Sequence, residues 1–169
     1  MRPRAAPRSF AVAIQRAASA AGAPSDTKLR AWAKAALANA ERGGELTIRI
    51  VDTTESAALN LRYRGKGGPT NVLSFPAEVP DLPDSELLPI GDVVVCAEVV
   101  AAEAAAQGKA LEAHWAHMVV HGVLHLSGYD HEAARDTRAM EALERKLLKA
   151  MGFPDPWVAS RAAELQDTT

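Results

Sequence analysis

The sequence holds a single cysteine, Cys96, which leaves no partner for an internal disulfide and fits a reducing cytoplasm. It lies in the apolar run VVVCAEVV, where a buried small hydrophobe is expected. Aromatic residues make up only 5% of the chain, and no apolar stretch approaches the roughly 20 residues of a membrane helix. The arginine-bearing N-terminus lacks an apolar h-region, so no signal peptide is read there. A large excess of one charge is also missing. The 19 Lys and Arg against 21 Asp and Glu give -2, without the basic surplus usual in nucleic-acid-binding domains. Large apolar side chains are scarce too, because 35 of the residues in the 48% hydrophobic fraction are alanine. This composition excludes collagen-like, low-complexity and disulfide-scaffold proteins and favours helix.

The charge that is present is unevenly spread. Residues 1–44 carry eight Lys or Arg and two acids, for +6, and residues 45–169 carry eleven and nineteen, for -8. Residues 1–8, with Pro3 and Pro7, are expected to form a tail, and residues 9–169 one domain. Phe10, Val12 and Ile14 alternate as in a strand, as do Leu46, Ile48 and Ile50. Asn71–Phe75 and the run from Val93 to Val95 complete a set of four strands. Ser25 or Asp26 caps a helix with Leu29, Trp32, Ala33, Ala36 and Leu37 on its buried face. Thr53 or Thr54 caps a second helix that carries Ala57, Ala58, Leu61 and, near its end, Tyr63, with a stop at Gly65. The segment 77–89, with three prolines and four acids, reads as a surface loop. Helices follow to Gly108, over about 111–126 and over about 132–151. The expected class is α+β: a single domain with about four strands in a mixed sheet, packed with five or six helices.

All five histidines fall between residues 114 and 131. His121 and His125, four apart on a helix, project to one face, and Gly128 allows a turn that returns His131 toward them. Three imidazoles with a position left for water suit a catalytic metal site on the central helix and the turn after it. The spacing matches the metzincin pattern H-E-x-x-H-x-x-G-x-x-H. Gly122 stands where a zinc protease needs its glutamate base, which disfavours a metallopeptidase. His114 and His117 continue the stripe as supporting residues or helix surface, a ligand role being the lesser alternative. Asp130 either orients a ligand or stabilises the turn.

Beyond the histidine motif HGVLHLSGYDH, the segments Leu59-Asn60, Tyr63-Arg64-Gly65-Lys66, Pro69-Thr70-Asn71-Val72-Leu73-Ser74-Phe75-Pro76 and Gly91-Asp92-Val93-Val94 occur in an order and spacing that resemble the YbeY endoribonucleases, over about residues 46–151. The resemblance implies a metal-dependent hydrolase that cuts single-stranded RNA in ribosomal RNA maturation, including the 3′ end of small-subunit RNA, and in ribosome quality control. It implies one zinc-like ion on His121, His125 and His131, with Arg64 as the functional arginine. Ribosomal RNA and the small ribosomal subunit are the implied partners, in the cytoplasm and with no membrane. Lys66 and Asn71 are weaker candidates for RNA contacts. Where the family often carries an acid, this chain has Gly67-Gly68. A ribosome assembly factor that uses its metal as a structural clip is the alternative from another class.

Overall fold

The computed structural model describes residues 9–18, 22–38, 43–78, 89–127 and 134–157. The chain runs through strand β1 (Phe10–Arg16), helix α1 (Asp26–Leu37), strand β2 (Gly44–Val51), helix α2 (Thr53–Arg64), strands β3 (Val72–Pro76) and β4 (Pro89–Cys96), and helices α3 (Ala97–Gln107), α4 (Leu111–Leu126) and α5 (Ala134–Ala150). The sheet order is β1-β2-β4-β3. β1, β2 and β4 run parallel, and β3 pairs antiparallel with β4 at the edge. The mixed α+β architecture expected from the sequence is therefore present, with five helices among the described residues. The expected tail and the Gly128 turn lie outside the described residues.

Strand alternation divides the sheet into two faces. Val12, Leu46, Ile48, Ile50, Val93 and Val95 face a layer built by α1, α4 and α5, in one core with Trp32, Trp115, Met140 and Leu148. On the opposite face Val51, Leu73, Val94 and Cys96 form a smaller cluster with Leu59, Phe75 and Val99. Cys96 is buried there, as its apolar run suggests.

Caps agree with the sequence in part. The Ser25 hydroxyl accepts from the Lys28 amide at the start of α1, and Gly65, at φ 66°, ends α2 in the left-handed conformation. At the start of α2, however, the cap is Asp52, whose carboxylate accepts from the Glu55 amide at 2.8 Å, and Thr53 and Thr54 already lie inside the helix. A carboxylate at that position also complements the positive end of the helix dipole.

Helix α2 buries polar side chains rather than its large apolar ones. Leu61 and Tyr63 are 61% and 56% exposed, and the residues that α2 buries are the polar Ser56 and Asn60. These two hold the loop that follows. The Ser56 hydroxyl accepts from the Thr70 amide and donates to the Thr70 carbonyl, both at 3.0 Å, and the Asn60 amide donates to the Gly68 carbonyl at 2.9 Å. Helical spacing marks one apolar face but carries no information about a loop that needs hydrogen-bond partners.

Helix α4 lies close to the sheet because Gly122 faces it. A Cβ built at Gly122 would stand 2.7 Å from Val93 Cγ1 and 3.1 Å from Val72 Cγ2. The Ser74 hydroxyl donates to the Gly122 carbonyl at 2.8 Å across the same contact. Gly122→Ala is expected to destabilise the fold by about 1–3 kcal/mol through overpacking, read as a lower urea midpoint at unchanged m value.

Candidate metal centre

The histidine stripe is carried by α4, and three of its members lie one turn apart from their neighbours. The ring centroids of His121 and His125 are 4.7 Å apart, and those of His117 and His121 are 6.2 Å apart. His131 and Asp130 lie outside the described residues. His114 and His117 are not helix surface: they are 3% and 8% exposed.

The buried side of the stripe meets α5. Glu144, 1% exposed, takes a hydrogen bond from His121 Nδ1 at 2.6 Å on one oxygen and from His117 Nε2 at 3.0 Å on the other. An ionised carboxylate only accepts, so the facing nitrogen of each ring carries its proton. For His121 this makes Nε2 the nitrogen with the lone pair, the tautomer of a metal-directed imidazole held by a carboxylate behind it. Burial alone would raise the Glu144 carboxyl, but the hydrogen bonds from His117 and His121 outweigh it and hold the group at about 2.

His117, His121 and Glu144 each offer one ligand atom, all within 4.8 Å of one another, a set that could hold a metal ion among the described residues. Imidazole and carboxylate donors are the chemistry that zinc and neighbouring transition metals take.

A second network lies one turn upstream. Glu103 on α3 receives both the Asn71 amide, at 3.0 Å, and His114 Nε2, at 3.3 Å. Burial lowers the His114 pKa, against the opposing pull of Glu103. Asn71 is occupied at its other end as well, because its Oδ1 accepts from the Val72 amide at 2.6 Å. Its side chain therefore ties the start of β3 to α3.

Arg64 and Lys66 stand at the C-terminal end of α2, both exposed, and neither forms an ion pair among the described residues. The Lys66 amide donates to the Asn60 carbonyl at 3.4 Å, continuing the cap of Gly65. The described hydrogen bonds do not join Arg64 to the histidines. The two regions are linked through the loop and β3, whose Ser74 holds Gly122 next to His121.

Glu144 and the burial of His117 are the parts of this centre that the motif did not show. Their signal is an acid on the apolar stripe of the last helix, where Met140 and Leu148 lie one turn to either side on the buried face.

A mixed sheet packed on one face by a helix that presents a histidine stripe defines an α+β domain with a metal-site candidate. A family model described as Endoribonuclease YbeY matches residues 15–152, and the chain belongs to that family. The fold is also similar to the solution structure of TM1509 from Thermotoga maritima, at a TM-score of 0.55 and 22% identity over 92% of this chain and 93% of that one. None of the helices is long and apolar enough to cross a membrane, among the described residues.

Glu144→Leu is expected to destabilise the protein by about 1–3 kcal/mol for each imidazole N–H left without an acceptor, measured by urea denaturation. Glu144→Gln is expected to weaken zinc binding about 10–100-fold in a calorimetric titration, since the amide offers only one acceptor oxygen to two donors.

Proposed function

We propose that this protein is a metal-dependent endoribonuclease of the cytoplasm that cuts single-stranded RNA during ribosomal RNA maturation, including the 3′ end of small-subunit RNA, and in ribosome quality control. The observation that carries the reading is the Glu144 carboxylate fixing the His121 ring one turn from His125, in a chain that belongs to an endoribonuclease family. His121, His125 and His131 are the proposed ligands of one zinc ion, with Glu144 behind His121. When bound, the ion supplies electrophilic activation of water and of the scissile phosphate.

The chain's own residues supply the rest. Arg64 offers a planar guanidinium that contacts two nonbridging oxygens at once, where negative charge gathers as the phosphodiester is attacked. Its position one residue before the capping Gly65 fixes the backbone from which it reaches. Lys66 adds a second cation for the flanking RNA backbone. The small ribosomal subunit, with its RNA, is the proposed partner.

A peptidase reading finds no support at Gly122. The position of the missing glutamate base is where α4 packs against Val93 and Val72, so a longer side chain there meets the sheet.

The test is a pair of substitutions measured side by side. His125→Ala is expected to lose both bound metal, by elemental analysis, and cleavage of single-stranded ribosomal RNA. Arg64→Ala is expected to keep its metal and lose about 10²–10³-fold in kcat. Wild-type protein with one ion per chain that leaves such RNA intact overturns the hydrolase reading. Chelation is expected to abolish cleavage with little change in Tm, whereas a metal used only as a structural clip gives a large drop in Tm on chelation.

A further inference from the structure

The sheet face opposite α4 is only partly covered by α2. Beyond the cluster of Val51, Leu73, Val94 and Cys96, a groove of about 500 Å³ remains open, floored by Leu59, Phe75 and Val94 and walled by Tyr63. Phe75 and Asp92 are directly opposite one another in the β3–β4 ladder, so the carboxylate lies beside the aromatic floor. The other charged pair in the groove is already neutralised: Arg49 donates to both oxygens of Glu55 at 2.7 and 2.8 Å.

Tyr63 is held yet exposed. Its ring packs edge-to-face on Phe75 at 4.9 Å, and the Arg62 guanidinium lies 5.4 Å from its centroid. Leu61 and Tyr63 are the exposed large hydrophobics among the described residues, and both fall in the same short stretch as three cations. From Ser56 to Ala77 the sequence contains Arg62, Arg64 and Lys66 and no acid. All three cations are exposed and none forms an ion pair among the described residues.

We propose that this groove and its rim are a docking site for single-stranded RNA, with one nucleobase stacked on Tyr63 over the Phe75 floor and the flanking phosphates on Arg62 and Lys66, Arg64 being kept for the scissile phosphate. The inference rests on the RNA reading above and adds a binding subsite to it. The division of chemistry argues for this occupant. An apolar, aromatic floor takes a base, because every base has a π-face and stacking tolerates any sequence. The uncompensated cations take phosphates. Asp92 would repel a phosphate, so the backbone lies on the rim and a base lies inside, where its amino group meets the carboxylate. A protein partner would instead need an acidic segment to match the same rim, and the apolar floor gives such a segment nothing to pair with.

The experiment is a fluorescence anisotropy titration of the full-length protein with a labelled, unstructured oligoribonucleotide of about ten nucleotides, comparing wild type, Tyr63→Phe and Tyr63→Leu. Tyr63→Phe is expected to bind as wild type, and Tyr63→Leu about 5- to 150-fold more weakly, with a higher KM and an unchanged kcat in the cleavage assay. Because Tyr63 is more than half exposed, Tyr63→Phe is expected to keep the wild-type Tm and Tyr63→Leu to lose only the edge contact with Phe75 and stay folded at the assay temperature, which separates lost stacking from lost folding. Tyr63→Leu binding the oligonucleotide as tightly as wild type overturns the proposal. Protein that binds RNA through Tyr63 without cleaving it keeps this subsite and sinks only the hydrolase reading, whereas cleavage with binding indifferent to residue 63 does the reverse.

Discussion

The structure depends on a carboxylate placed where an apolar side chain is expected. Glu144 occupies the buried stripe of α5 between Met140 and Leu148, and a buried charge there is tolerable only when its oxygens are fully engaged. The engagement comes from two imidazoles of one helix, His117 and His121, four residues apart and so stacked on one face. Each carboxylate oxygen takes one ring, which fixes the register of α5 on α4 as well as the side-chain angles. A slip of α5 by one turn would break both bonds together. The interaction that docks the last helix is therefore the same one that sets the tautomer of the first proposed ligand.

From the opposite side α4 is pressed onto the sheet by the absence of a side chain. The residue after His121 is Gly122, and the strands fill the space that a Cβ would need. Carboxylate on one flank and strand on the other leave α4 little freedom to rotate. Preorganisation of this kind matters at a metal centre, because ligands held before binding lose less entropy when the ion arrives. The same packing removes a peptidase's base from consideration for a reason that sequence comparison alone does not give. The glycine is there for the helix–sheet contact.

How far the sequence could be read follows from which interactions are local. Alternation of Leu46, Ile48 and Ile50, or of Phe10, Val12 and Ile14, reports a strand directly, and all four strands were legible. Their order was not, because the placement of β4 between β2 and β3 is decided by pairing over long separations. Spacing placed Leu61 and Tyr63 on α2 without showing which of its side chains are buried, while the burial of Ser56 and Asn60 answers the hydrogen-bonding needs of residues 68 and 70. His121 and His125 were visible because one helical turn brings them together, and His131 lies outside the described residues. Glu144 was not, since it acts across 23 residues of chain from His121 and belongs to no motif. For Asn71, the sequence showed a polar side chain near a glycine-rich turn, and the structure occupies both ends of its amide with Val72 and Glu103.

Net charge of -2 is measured over the whole chain, while an anion meets only the charges within a Debye length, about 8–10 Å at physiological salt. Arg62 and Arg64 fall in the last turn of α2, where the negative end of the helix dipole favours cations without any carboxylate beside them. Charge stabilised by a dipole and by solvent remains available to a second anion, unlike the charge of Arg49, which both oxygens of Glu55 already hold. Gly67 and Gly68 extend this condition by adding no acid to the loop. A chain of slight net negative charge can thus leave cations open to an anion, because no acid falls between Ser56 and Ala77.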